Sequence, residues 1–284
     1  MTLGALGSAD YREFREEKPE FHSIQFDGRK VYLCGFQHGV GVLTPGKGPI
    51  EATRRLFARE TPYVMIEGIN TQRKAKRHLK CAEFLNGEDV EKHFYTVLKT
   101  PDVRRSLQNL LGVSPTKFLN VLRVMTTIVS PFFYLNTRAK GNRNYVYRGL
   151  APLTLHEVSN RIQSEATTAF DSSAHVLDRM DYFVGTFRSF LMADAVLQRH
   201  AALPREIPFA FFKGNGHSPE VEAFLTNPEL FKTFKKNLPP VLNKIVDRVR
   251  QLNDKTIKAY LAEDAPHSGI RMSQHAAAVL REEK

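Results

Sequence analysis

Two stretches of the chain place a glycine three residues before a histidine: Gly35-Phe36-Gln37-His38 and Gly214-Asn215-Gly216-His217. With 17 Gly and 10 His in 284 residues, chance supplies roughly 0.6 such spacings, so a single copy would carry little information. Here each copy directly follows an apolar run that reads as a buried strand, Val31-Tyr32-Leu33-Cys34 in one case and Ile207-Pro208-Phe209-Ala210-Phe211-Phe212 in the other. A glycine permits a sharp exit from a strand, and an imidazole three residues later can then turn back over the sheet edge. Two such turns on neighbouring strands would converge His38 and His217, and neutral imidazoles are good ligands for Mn²⁺, Co²⁺ or Zn²⁺. Glu67, just past the run Tyr63-Val64-Met65-Ile66, would complete such a site as a ligand or act as the general base of a hydrolytic reaction.

The elements that must position these residues are visible in the patterning. Ser23 to Phe26 alternates, Asp27-Gly28 supplies a two-residue turn, and Lys30 to Cys34 returns, which predicts a hairpin whose second strand stops at Gly35. Ile50 to Glu60 reads as a helix and Tyr63 to Ile66 as a strand, so strand, helix and strand follow in βαβ order. In such parallel sheets chemistry collects at the carboxyl ends of the strands. From Thr71 to about Glu165 the chain reads as helical with breaks, and residues 157 to 200 are again helix-like. After Pro239-Pro240 an apolar stripe runs from Val241 and Leu242 through Ile245, Val246, Val249 and Leu252 to Leu261, predicting an amphipathic C-terminal helix. The expected organisation is an N-terminal arm over 1–20, one α/β domain over 21–263 and a polar tail over 264–284. The domain would hold one central mixed sheet with flanking helices and a helical insertion over about 84–165.

Composition bounds the function. A hydrophobic content of 42% permits a sizeable core, and two cysteines are too few for a disulfide scaffold and lack zinc-finger spacing. The first twenty residues resemble neither a secretory signal nor a transit peptide, so the expected home is intracellular, cytoplasmic or mitochondrial rather than secreted. The stretch Phe118 to Leu135 is interrupted by Arg123 and Pro131 and reads as a buried helix, not a membrane span. No Walker loop or dinucleotide fingerprint is present, so no nucleotide cofactor is expected.

Val31 to His38 resembles the first strand and Gly-x-x-His of the TraB/PrgY family, within the TIKI superfamily that also includes GumN and ChaN-like groups. Val64-Met65-Ile66-Glu67 followed by Arg73 is similar to the family's second strand, with Arg73 one position late. Ala166, Ala169 and Ala174 before Leu177-Asp178-Arg179 resemble its spaced alanines ending in Asp-Arg. Arg188 with Met192-Ala193 has the spacing of its Glu-Arg-Asn-x-x-Met-Ala motif, where Phe187 and Ser189 stand in place of Glu and Asn. The resemblance spans residues 24 to 226 and implies a metal-dependent hydrolase with peptide or protein substrates. His38 and His217 would bind the divalent ion, Glu67 would be ligand or general base, and Arg188 or Arg179 would stabilise an oxyanion.

The alternative is an inactive relative serving as an RNA- or protein-binding subunit of a larger assembly such as a ribonucleoprotein. The net charge of +11 makes an attractive field for polyanions. Arg73, Lys74, Lys76, Arg77 and Lys80 fall within ten residues without an acid, and Arg138, Lys140, Arg143 and Arg148 surround Tyr145 and Tyr147, a pattern able to meet phosphates and stack bases.

Overall fold

The computed structural model describes residues 21–36, 56, 59, 62–67, 87–113, 154–172, 174–214 and 217–261. Five strands make one mixed sheet, Phe21–Phe26 (β1), Arg29–Phe36 (β2), Tyr63–Ile66 (β3), Glu88–Asp89 (β4) and Phe209–Gly214 (β5), in the order β1-β2-β5-β3-β4. Only β1 with β2 is antiparallel; β2, β5, β3 and β4 run parallel. The described helices are Lys92–Leu98 (α1), Pro101–Leu111 (α2), Leu155–Thr168 (α3), Val176–Tyr182 (α4), Arg188–Ala202 (α5), Ser218–Thr226 (α6), Pro228–Lys236 (α7) and Pro240–Leu261 (α8). The fold is therefore α/β with helices flanking a central mixed sheet. Among the described residues no helix is long and apolar enough to cross a membrane.

The hairpin forms where the sequence places it. Asp27 (φ 45°) and Gly28 (φ 79°) both take positive φ, the conformation that a two-residue loop matching the strands' twist requires, and the register closes on Phe26 opposite Arg29. The second strand departs from expectation, continuing through Gly35 to Phe36 because the parallel ladder does: Gly35 lies opposite Lys213, and Phe36 opposite Gly214. Both glycines of the Gly-x-x-His stretches are thus extended strand residues rather than sharp exits.

β5 lies between β2 and β3 and is buried along its whole length. A central strand covered on both faces needs a continuous apolar run rather than alternation, which is why Phe209-Ala210-Phe211-Phe212 reads as it does. The residues Glu88-Asp89, expected to belong to a helical stretch, instead add a short fifth strand beside Met65 and Ile66. The predicted helix over Ile50–Glu60 is described only at Leu56 and Arg59, both helical, and most of the predicted insertion lies outside the described residues.

Against the sheet packs α5, buried from Arg188 to Val196. Ahead of it Phe183–Phe187 forms one wide π-type turn, whose extra residue offsets the face of α5 from that of α4 by about 100°. The rings of Phe183 and Phe187 stack at 5.5 Å and meet Phe94 of α1 at 6.0 and 6.4 Å. Phe190 stacks on Phe231 of α7 at 4.6 Å. α8 packs on α5, α1 and α2 and buries Leu242, Ile245, Val246 and Val249.

Gly87, immediately before β4, touches the side of β3 so closely that a Cβ would meet the Cδ1 of Ile66 and lie 2.8 Å from both Ile66 Cγ1 and Val64 Cγ1. We expect Gly87→Ala to destabilise the protein by about 1–3 kcal/mol through overpacking. The readout is the urea midpoint, and an unchanged midpoint would mean that the β3–β4 contact yields without cost.

Candidate active site

The carboxyl ends of β2, β3 and β5 lie side by side, the position at which open parallel sheets collect ligands. Glu67 is the first residue past β3, and its backbone N–H still continues the ladder, donating to Phe212 O at 2.8 Å. Its side chain turns the same way: Oε2 accepts from the Gly214 N–H at 2.5 Å. The carboxylate is thereby latched to the last residue of the neighbouring strand and is only 5% exposed. The function of Gly214 is therefore to offer its backbone amide.

Oε1 of Glu67 accepts from Arg188 Nη2 at 2.7 Å. The same guanidinium donates through Nε to Glu91 Oε1 at 2.8 Å and through Nη2 to Glu91 Oε2 at 2.9 Å. Arg188 opens α5, Glu91 precedes α1, and both are buried. A guanidinium fork matches two carboxylates held in one plane, so residues 67, 91 and 188 are bound into one unit. Tyr95 adds its hydroxyl to Glu91 Oε2 at 3.3 Å.

His217 stands beside this unit, its Nε2 3.7 Å from Glu67 Oε1. Buried Lys213, in β5, donates through Nζ to Ser218 Oγ, the first residue of α6, at 2.7 Å. On the other edge of His217, Nδ1 meets Ser189 Oγ at 2.8 Å, and that hydroxyl lies 2.6 Å from Glu220 Oε2. Glu220 Oε1 in turn accepts from Arg161 Nη2 at 3.0 Å and lies 3.2 Å from Thr186 Oγ1, whose shorter bond, at 2.5 Å, is to Glu165 Oε2. The network thus passes from α3 through the π turn, α5 and α6 to the ends of β3 and β5.

Its electrostatics are unbalanced. Burial pushes the Glu91 carboxyl up to about 7, Arg188 opposes that rise, and the negative charge of Glu67 adds to it. Burial would lower the Arg188 guanidinium, yet Glu91, Tyr95 and Glu67 together hold it well above its ordinary value. Tyr95 is raised, by burial first and by Glu91 second. Cys34 is raised by burial, which leaves it a poor nucleophile.

Of the residues singled out from sequence, Glu67, Arg188 and His217 come together. Arg179 does not join them: it lies nine residues before Arg188, about 13 Å along the helix, and its Nη1 approaches Leu110 O at 3.4 Å, beside the end of α2. His38 lies outside the described residues, as do Arg73, Lys74, Lys76, Arg77, Lys80, Arg138, Lys140, Arg143, Tyr145 and Arg148. Among the described residues no group of three His, Cys, Asp or Glu side chains is arranged to hold a metal ion. Sequence reasoning missed Glu91, Ser189 and Glu220. Glu220 was within reach, since it falls one helical turn after His217; Glu91 had no signal beyond an acidic stretch.

Compared with known proteins, the chain matches no family model, no curated protein and no solved structure.

The raised Glu91 sets a pH dependence of stability. Below its ordinary value of 4.5 the carboxyl is protonated in both folded and unfolded chains. Between 4.5 and about 7 the folded chain keeps the proton and the unfolded chain releases it, so stability contributed by this group falls as pH rises. Urea denaturation across that window should show wild type losing stability relative to Glu91→Gln as pH increases. A difference that stays constant, or grows in favour of wild type, would contradict the raised carboxyl.

Proposed function

We propose that this chain is a metal-dependent hydrolase of the TraB/TIKI type, acting on peptide or related acyl bonds at the carboxyl ends of β2, β3 and β5. One observation carries the reading: Glu67, Arg188 and His217, from three distant parts of the sequence, form one buried cluster at the sheet edge. The order of motifs along the chain supports the same assignment.

The donor chemistry fits a divalent ion. His217 Nε2 and His38, two residues past β2, are the proposed donors to the ion, and Glu67 Oε1, 3.7 Å from Nε2, is the proposed base. When bound, the ion would supply Lewis-acid polarisation of a carbonyl. The protein's own groups divide the remaining work. Glu67 takes a proton at Oε1 from the attacking water, while the Gly214 N–H and Arg188 hold its carboxylate in a single orientation. Arg188 serves this reading as a clamp on Glu67 and Glu91 rather than as an oxyanion donor, since Nε and Nη2 are engaged by carboxylates. Glu91, pushed up to about 7, holds or releases a proton near neutral pH, as an acid–base partner must.

The test is metal analysis of purified protein reconstituted with Mn²⁺, Co²⁺ or Zn²⁺, followed by cleavage assays on a mixed peptide library. Wild type is expected to retain a stoichiometric ion, and His38→Ala with His217→Ala to lose it. Glu67→Gln, which keeps the shape of the side chain, should lower turnover by about 10²–10⁴-fold. Failure of wild type to hold any ion after reconstitution would remove the foundation of this function.

A further inference from the structure

We infer that Glu220, acting through Ser189, fixes the proton of His217 on Nδ1 and so turns the Nε2 lone pair of the neutral ring toward Glu67. Both are positioning residues; the inference rests on the function proposed above, but its structural content is separable from it.

Ser189 has one hydroxyl proton and three acceptors in reach: Gly185 O at 3.0 Å, His217 Nδ1 at 2.8 Å and Glu220 Oε2 at 2.6 Å. A hydrogen bond to an ionised carboxylate is the shortest and strongest of such alternatives, and Glu220 also offers the shortest distance. With the proton committed there, the oxygen turns a lone pair to the imidazole. Nδ1 must then be the donor, because two lone pairs at 2.8 Å would repel. In the neutral ring Nε2 is consequently the acceptor, and it is the nitrogen 3.7 Å from Glu67 Oε1.

The far side of the relay removes the remaining freedom. Glu220 Oε1 receives Arg161 Nη2, so Oε2 is the oxygen left facing Ser189. Glu220 and Ser189 are both fully buried, and the arrangement cannot rotate without breaking several hydrogen bonds in a water-poor interior. A histidine whose second nitrogen donates to a carboxylate, directly or through a hydroxyl, is oriented and made more basic at the first, the device by which ligating histidines are tuned.

The decisive variant is Glu220→Gln. Arg161, which cannot accept, donates to the Oε1 position, so the amide oxygen of Gln would take that position and its NH₂ would face Ser189. The hydroxyl would then accept from the amide and donate its own proton to Nδ1, and the ring would carry its proton on Nε2. A change that only removed charge or perturbed packing would not invert a tautomer.

The experiment is long-range ¹H–¹⁵N correlation on uniformly ¹⁵N-labelled, metal-free, full-length protein at a pH where the ring is neutral, with His217 assigned from the peaks lost in His217→Gln. Wild type should show the proton on Nδ1, and Glu220→Gln should show it on Nε2. Zinc titration of the same proteins should give an affinity lower by about 10–100-fold in Glu220→Gln and in Ser189→Ala. A wild-type proton on Nε2, or a Glu220→Gln tautomer identical to wild type, overturns the inference even if zinc binds. Tautomers as expected with no zinc binding in wild type would uphold the relay while sinking the proposed hydrolase. Zinc affinity equal in all three proteins would also overturn the positioning role.

Discussion

One buried guanidinium, that of Arg188, holds the working end of the molecule together. It bonds Glu67 at the end of β3 and Glu91 at the start of α1, and with all three removed from water none can be displaced cheaply. Breaking a buried pair by deleting one partner costs about 3–5 kcal/mol, because the survivor keeps its desolvation penalty. The same face of α5 repeats the device about three turns on, where Arg199 grips Glu88 through Nε at 3.0 Å and through Nη2. A two-residue strand such as β4 has little stability of its own. Its flanking acids, Glu88 within it and Glu91 just past it, dock it onto α5, and β4 in turn borders Ile66 and the carboxylate that follows.

The opposite end of the sheet is tied to the same helix. Arg29, at the start of β2, donates to Leu203 O at 2.6 Å and Ile207 O at 2.7 Å and lies 4.0 Å over the ring of Phe209. Burial lowers its pKa to about 10, and its partners are the carbonyls beyond the last turn of α5, which attract a cation. The helix is therefore pinned at both ends, to β2 at its C-terminus and to the β3–β4 edge at its N-terminus. With α5 fixed, the apolar length of β5 sets the depth at which Gly214 emerges, and the Gly214 amide sets Glu67.

This division explains what was legible in the sequence. Strands buried on both faces declare themselves by unbroken apolar runs, and Asp27-Gly28 declares its turn, so the sheet and the residues just past its strand ends, Glu67 and His217, could be read directly. The short strand at Glu88-Asp89 could not, since two acidic residues carry no strand pattern, and Glu88 is held there by Arg199 from a distant helix. Arg179 and Arg188 could not be ranked, because each stands in a helical stretch of similar pattern and only the packing of that stretch against α1, α2 and the sheet decides which guanidinium meets Glu67 and which meets Leu110 O. Ser189 and Glu220 look like ordinary helix residues until three-dimensional packing brings α5 and α6 together.

The two arginine clusters on α5 differ in how many carboxylates meet the guanidinium. Around Arg199 the charges close: one carboxylate meets one guanidinium, Tyr63 and Asn253 complete the hydrogen bonding, and Arg199 outweighs burial to hold Glu88 below its ordinary value. Around Arg188 two carboxylates, Glu67 and Glu91, meet one guanidinium, and burial pushes Glu91 up to about 7. Carboxyls raised in this way occur in structural ion-pair networks and at sites that exchange protons alike. The same helix thus carries both arrangements, and the one around Arg188 stands at the carboxyl ends of the strands, where His217 Nε2 lies 3.7 Å from Glu67 Oε1.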